Sequence, residues 1–440
     1  MNNTNQNGTF SSKVGFILAA VGSAVGMGNI WMFPYRTGQY GGATFIILYC
    51  LFVALFGIIG LSGEFAFGRL TRTGPIGSYD YALKTRGKKG GSFLGAIPLI
   101  GSIGIAIGYS VIVGWVLRIL IASITGTVMT EKPETLFSEI TGNFGSVPWH
   151  LAVVVITILI LVGGISDGIE KVNKFMMPTF FILFIILDIR VAFLNPSALE
   201  GYKYLLIPHW EYLANPKTWI MAMGQAFFSL SVTGSGMIIY GSYIRKNENI
   251  MYAAGMTSLL DVCSAMVAGF AVIPAVFAFG LNPASGPPLI FHTLPRVFQQ
   301  MPAGRLFAIF FFVSVLFAGI TSLANMFEVC AEATQKHLKL PRTPAVIAVG
   351  AIVFICGLFI EEESKLNNWM DIVSIYIVPI GAALGAIVIF WVLGADKIRD
   401  ELQNGRLKTI STVYNKVAKY IYVPIAILVV ILGIMYGGIG

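Results

Sequence analysis

The chain has 440 residues, of which 56% are hydrophobic and 11% charged, against about 25% charged in a soluble domain. Long uncharged runs and a mean hydropathy of +0.78 exclude a water-soluble globule, because lipid must cover that much apolar surface. The formal net charge of +8 implies no nucleic-acid partner, since the basic residues sit in short connections rather than on one face.

After a polar tail whose one charge is Lys13, the first apolar run covers 14–35 and is rich in glycine, which reads as a mature helix rather than a cleaved signal. Uncharged runs long enough to cross ~30 Å of hydrocarbon follow at 37–63, 90–117 and 140–166. A weaker span over about 175–194 is interrupted by Asp188 and Arg190. Later spans are expected at about 218–244, 262–281, 306–327, 343–360, 372–395 and 420–440. The proline-rich segment Asn282 to Pro302 is too broken to span and reads as a re-entrant or capping outer loop.

The chain is therefore expected to be an all-α membrane protein of eleven transmembrane helices, forming a single transporter domain over 1–440. With a cytoplasmic N-terminus, 20 of the 29 Lys and Arg fall inside, which is the positive-inside bias, and the odd span number puts the C-terminus outside. The four cysteines, Cys50, Cys263, Cys330 and Cys356, lie in apolar segments without metal spacing and read as packing residues.

Spans one and six share an odd feature. Span one carries Gly22-Ser23-Ala24-Val25-Gly26-Met27-Gly28-Asn29, and span six carries Ser229-Leu230-Ser231-Val232-Thr233-Gly234-Ser235-Gly236. Such small residues weaken a helix at mid-depth, where freed backbone groups need a partner that lipid cannot supply. Breaks at places one and six are what a five-plus-five inverted repeat produces, with helices 1–5 over about 14–194, helices 6–10 over about 215–395 and helix 11 over about 420–440. Small-residue packing seams between intact helices are the alternative.

Half-helix N-termini offer N–H groups to an anion and unwound carbonyls offer oxygen to a cation, which suits a zwitterion with Na+. Asn29 supplies an amide just after the first break, and Asp261 a carboxylate in an apolar seventh span, where an unpaired charge is costly. Ala318, Thr321 and Ser322 share one face of span eight and offer a carbonyl and two hydroxyls, although such hydroxyls commonly bond their own helix. Tyr109 in span three places a phenol where it could meet a carboxylate. Glu64 and Glu328, near span ends, read as partners of loop bases. His150, His209, His292 and His337 form no catalytic cluster and no nucleotide loop is present, so an enzyme is not expected and an ion gradient must drive any transport.

The long motifs GSAVGMGNIWMFP (Gly22 to Pro34), GISDGIEKVNKFMMP (Gly164 to Pro178), GQAFFSLS (Gly224 to Ser231) and GITSL (Gly319 to Leu323), with Gly394-Ala395-Asp396-Lys397, resemble the neurotransmitter:sodium symporter family over nearly the whole chain. The resemblance implies a first sodium site of the Ala24 carbonyl, Asn29, Ser229, Asp261 and the substrate carboxylate. It implies a second from the carbonyls of Gly22, Val25 and Ala318 with the Thr321 and Ser322 hydroxyls. The substrate carboxylate should meet the N–H groups near Met27 and Gly28 and the Tyr109 hydroxyl. Its amino group should meet the carbonyls of Ala24, Phe228 and Ser229 and the Ser231 hydroxyl.

Departures from the family pattern refine this. Gly26 stands where monoamine-transporting members carry aspartate, so the substrate should bring its own carboxylate. Gly234 stands where many relatives have a bulky side chain. With Ile105, Phe228, Ser322 and Met326, it is expected to line an enlarged pocket for an aromatic amino acid such as tyrosine, and Gly234→Phe to favour smaller substrates. Asp261 replaces the neutral residue of chloride-dependent members, so no chloride requirement is expected. Tyr109 and Phe228 should close the outer side. Asp371 is the expected gate carboxylate, but Met32 replaces its usual arginine partner, with Arg36 one turn on as a substitute. Asn7 and Lys336 leave the inner latch without its usual pair. The absent twelfth helix and outer-loop cysteines suit a prokaryotic plasma membrane.

These features imply a symporter coupling two Na+ to an amino acid within a lipid bilayer. A proton-coupled carrier of the same fold and a non-transporting amino-acid sensor are the alternatives. The oligomeric state and exact substrate are not legible.

Overall fold

A computed structural model describes residues 8–282 and 289–438. Asn7, most of the prolines after Asn282 and the last two residues of the expected final span lie outside the described residues. Every named element is helical, with one isolated bridge between Gly42 and Pro208 and no strand among the described residues.

The helices in chain order are α1 (Lys13–Ala24), α2 (Gly28–Gln39), α3 (Ala43–Thr71), α4 (Pro75–Lys84), α5 (Gly91–Thr125), α6 (Val147–Val162), α7 (Ile165–Ala192) and α8 (Pro196–Leu206). They continue as α9 (Pro216–Ser229), α10 (Gly236–Ser242), α11 (Ile250–Ala278), α12 (Gly304–Leu338), α13 (Arg342–Leu358), α14 (Glu363–Gln403) and α15 (Val413–Met435). Seven of these are long and apolar enough to cross a bilayer, or eight with the bent pair α1 and α2 taken as one, while α6 and α13 are shorter apolar helices.

Several helices outrun the apolar stretches that announced them, because polar ends keep the helix going once it is capped. The Asn249 side chain accepts the Tyr252 N–H at 3.1 Å and starts α11 well before residue 262, which sets Asp261 inside the helix rather than at its edge. α12 runs on to Leu338, where Glu328 pairs with Arg342 at 2.7 Å and Lys336 with Glu332 at 2.7 Å. The expected broken loop contains the short helix Leu294–Gln300, and Phe291 just before it stacks on Phe137 with centroids 5.0 Å apart.

The core gathers around α1, which packs among α7, α11 and α12, while α9 and α10 both lie against α3. At its start, the Ser12 hydroxyl accepts the Gly15 N–H at 3.0 Å, a standard N-cap. Glu170 of α7 then receives the Ser11 N–H and hydroxyl at 2.6 Å each and the Ser12 hydroxyl at 2.8 Å. A carboxylate at a helix N-terminus also suits the helix dipole. Arg69, fully buried at the end of α3, pairs with Glu401 of α14 at 2.5 Å.

Candidate functional site

α1 stops at Ala24 and the chain resumes as α2 at Gly28, bent by 57°. The hydrogen bonds explain the interruption. The Gly26 N–H turns to Asn29 Oδ1 at 3.3 Å, the Met27 N–H to the Tyr109 hydroxyl at 2.9 Å, and the Asn29 N–H to the Gly26 carbonyl at 3.1 Å. Each of these donors would have served a carbonyl four residues back, so Gly22, Ser23 and Val25 lose their helical partners. Two of those carbonyls, Gly22 and Val25, belong to the expected second sodium site.

α9 ends at Ser229 and α10 begins at Gly236. Between them Ser231 has φ +52° and Gly234 φ +75°, with the Ser231 N–H on the Phe228 carbonyl at 3.0 Å and the Thr233 N–H on the Ser231 carbonyl at 2.9 Å. The Ser231 hydroxyl crosses to the Ser23 carbonyl at 3.2 Å and ties the two interruptions together. Glu64 departs from its expected pairing with a loop base. Its Oε1 accepts the Gly234 N–H at 2.7 Å and holds the second interruption in place.

Asn29, Ser229 and Asp261 meet at one buried point. The Asn29 amide nitrogen lies 3.0 Å from Ser229 Oγ, 2.8 Å from Asp261 Oδ1, 3.2 Å from the Asp261 carbonyl and 2.9 Å from Ser264 Oγ. Ser229 Oγ sits 2.9 and 2.8 Å from the two Asp261 oxygens, and the Tyr49 hydroxyl donates to Oδ2 at 3.1 Å. The Ser264 hydroxyl donates to the Asp261 carbonyl at 2.7 Å, and every hydrogen-bond partner of the carboxylate is neutral. A buried carboxylate ringed by neutral hydroxyl and carbonyl oxygens suits a hard cation, while Asn29 turns its nitrogen to the cluster and its oxygen to the Gly26 N–H. The ligands gathered at this point are oxygens, without sulfur or imidazole, which is the donor chemistry of a hard cation.

Of the second expected group, Gly22 and Thr321 lie close together, and Ser322 turns to the neighbouring Ser23. A β-carbon on Gly22 would lie 3.0 Å from Thr321 Cβ, and the Ser322 hydroxyl reaches the Ser23 carbonyl at 3.2 Å. The Thr321 hydroxyl bonds back to Phe317 and Ala318 at 2.9 and 3.1 Å, as hydroxyls in membrane helices commonly do.

Between the interruptions lies a cavity lined on one side by Ala24, Met27, Gly28, Phe228, Ser229 and Ser231. Ile105, Tyr109, Ser322 and Met326 line it as well, and Ser23, Gly26, Gly101, Ser102, Thr233, Gly236 and Asn325 extend the lining beyond the expected residues. A β-carbon at Gly26 would sit 2.6 Å from the Tyr109 hydroxyl, so a larger residue there would displace the phenol.

Gly234 corrects the sequence reading. It does not line the cavity, because its β-carbon direction points to the Gly381 carbonyl and the Tyr79 hydroxyl, 2.6 Å away in each case. A phenylalanine there would meet backbone rather than ligand, in a left-handed conformation that only glycine adopts cheaply. The small residues that do line the cavity on this side are Gly101, Ser102 and Gly236.

Tyr109 and Phe228 also line a second, wider cavity that contains Met32, Arg36 and Asp371, so these two rings stand between the chambers. The Arg36 guanidinium lies 3.5 Å from Gln225 Oε1, and Gln225 Nε2 donates to the Gly28 carbonyl at 2.9 Å. Lys336 pairs with Glu332 and donates to the Arg72 carbonyl at 3.1 Å. Sequence reasoning missed Tyr49, Ser264 and Glu64. Ser264 sits one turn beyond Asp261 and was readable from spacing, whereas nothing local distinguishes Tyr49 from other tyrosines in apolar runs.

A helical membrane protein with a buried oxygen cluster beside a small-molecule cavity between two interrupted helices is, by class, an ion-coupled carrier. The chain belongs to the Sodium:neurotransmitter symporter family, whose profile matches residues 7–134 and 129–436. It is similar to YhdH, an uncharacterized sodium-dependent transporter of Bacillus subtilis, at 35% identity over 97% of each chain. The sodium-dependent serotonin transporter of Drosophila melanogaster is 28% identical over 90% of this chain and 71% of its own. Among solved structures, MhsT in complex with L-phenylalanine superposes with a TM-score of 0.84 at 33% identity, covering 97% of this chain and 99% of its own. The protein is a sodium-dependent multi-pass membrane transporter and not an enzyme.

Proposed function

We propose that this transporter moves an amino acid, aromatic and tyrosine- or phenylalanine-like, together with two Na+ and without a chloride requirement. The observation that carries the reading is the buried Asn29–Ser229–Asp261 cluster, whose Ser229 lines the cavity between the interruptions. One Na+ sits there with the Ala24 carbonyl and the substrate carboxylate. A second takes the carbonyls of Gly22, Val25 and Ala318 and the hydroxyls of Thr321 and Ser322.

The substrate carboxylate faces Met27, Gly28 and the Tyr109 hydroxyl, which accepts one N–H and keeps its own proton to donate. Its amino group faces the carbonyls of Ala24, Phe228 and Ser229. Gly26 leaves no protein carboxylate in this position, which supports an amino acid over an amine. The small residues at the cavity's far side leave room for a ring, and the similar structure holds L-phenylalanine.

In this reading the chain forms one domain of eleven spans, with α1/α2 and α9/α10 as the spans unwound at mid-membrane in a five-plus-five repeat. The N-terminus is cytoplasmic and the C-terminus extracytoplasmic in a prokaryotic plasma membrane. The bundle containing the interrupted helices rocks against the rest, with Tyr109 and Phe228 closing over the substrate and Asp371 in the outer chamber. Two Na+ entering down 100 mV release about 4.6 kcal/mol, enough for roughly a thousandfold accumulation at ~1.4 kcal/mol per decade.

A panel of the twenty amino acids tested for thermal stabilisation in Na+ and in choline identifies the ligand, and uptake into proteoliposomes under both cations tests coupling. Aromatic uptake that persists in choline and follows pH instead would replace this reading with proton coupling. Binding without counterflow would make the protein a sensor.

A further inference from the structure

Asn173 lies on α7, outside both expected ion sites, and is 1% exposed. Its amide nitrogen donates to the Ile169 carbonyl at 2.8 Å, which fixes the orientation, since only the nitrogen can serve that acceptor. The oxygen must then face the other way, where it has no hydrogen-bond partner. It is aimed at α1 and α12. A β-carbon on Gly22 would lie 1.8 Å from this oxygen, and the same point is 3.0 Å from Thr321 Cβ.

A buried amide oxygen without a donor is rare, and each instance needs a physical reason. Here the neighbours are Gly22, whose carbonyl has lost its helical N–H, and Thr321. The unpartnered oxygen of Asn173 thus lies against Gly22 and beside Thr321, two residues of the expected second ion site on two other helices. Hard cations gain from each added oxygen ligand, and a neutral amide oxygen adds one without a further buried charge.

We propose that Asn173 is a ligand of the second sodium site, adding its side-chain carbonyl to the oxygens of Gly22, Val25, Ala318, Thr321 and Ser322. This rests on the second-site reading above. It makes α7 part of the ion site.

Asn173→Ser is the sharpest probe, because a serine hydroxyl can still bond the Ile169 carbonyl while the oxygen facing Gly22 is removed. Asn173→Ala is the second variant, and Thr321→Val reports on the site itself. Purified proteins in detergent are titrated with Na+ against choline, without substrate, and followed by radioactive sodium binding and thermal stabilisation. A parallel Li+ titration reads selectivity, which a merely structural role would not move.

The expected result is an about tenfold rise in half-saturating Na+ for both Asn173 variants, equivalent to ~1.4 kcal/mol, with Li+ weakened less than Na+. A normal Na+ response in both Asn173 variants, with Thr321→Val impaired, overturns the role of Asn173 and leaves the second site standing. Normal responses in all three overturn the second site as well.

Discussion

Replacing Asp261 with asparagine keeps the side chain's size and removes one buried charge. The Ser229 hydroxyl lies 2.9 Å from Asp261 Oδ1. A Na+ on that hydroxyl at an oxygen distance of about 2.4 Å is then no farther than about 5.3 Å from the carboxylate. At an effective dielectric of about 20, unit charges so placed attract by about 3 kcal/mol, or about two powers of ten in affinity. Asp261→Asn is therefore expected to need about a hundredfold more Na+ for uptake in gluconate, and to recover when chloride supplies the missing charge. The assay is Na+-dependent uptake into proteoliposomes with chloride or gluconate as the only anion. An unchanged Na+ requirement in gluconate would refute the electrostatic reasoning. A loss that chloride does not restore would confine Asp261 to direct ion ligation and remove the argument for chloride independence.

Tyr109→Phe leaves the buried Met27 N–H without its acceptor, a cost of about 1–3 kcal/mol. Substrate affinity should fall tenfold or more while stabilisation by Na+ alone persists, as paired titrations will show. Ser102→Leu fills the small-residue side of the cavity. It should weaken aromatic ligands more than alanine or glycine in the amino-acid panel, and an unaltered ranking would count against the pocket assignment. Gly234→Ala puts a β-carbon 2.6 Å from the Gly381 carbonyl at φ +75°, a strain of about 1–3 kcal/mol that should lower the melting temperature in detergent without reordering substrate preference. Glu170→Ala removes the acceptor of three hydrogen bonds from Ser11 and Ser12. Hydrogen exchange in the first turn of α1 should accelerate about tenfold or more, and unchanged protection would show that the carboxylate does not hold that end.

Composition alone determined that this chain lives in lipid, because hydropathy is a local property that no tertiary contact can cancel. The glycines around Gly22 and Gly234 marked where two helices are interrupted, since weak helix propensity is also written locally. Asn29 and Asp261 were legible because a polar group in an apolar run has few ways to exist without a partner, whereas Ser229 as an ion ligand came from the family resemblance. What the tertiary structure decided is where those groups point. The left-handed turn at Gly234 aims its side-chain direction at Gly381 instead of the cavity, and linear order carries no record of that rotation. Tyr49, Glu64 and Asn173 acquired their places only through helix crossings, which bring a hydroxyl to Asp261, a carboxylate to Gly234 and an amide oxygen to Gly22. Burial makes a polar atom in an apolar span costly enough to be noticed in sequence, but only packing selects which distant backbone groups it will serve.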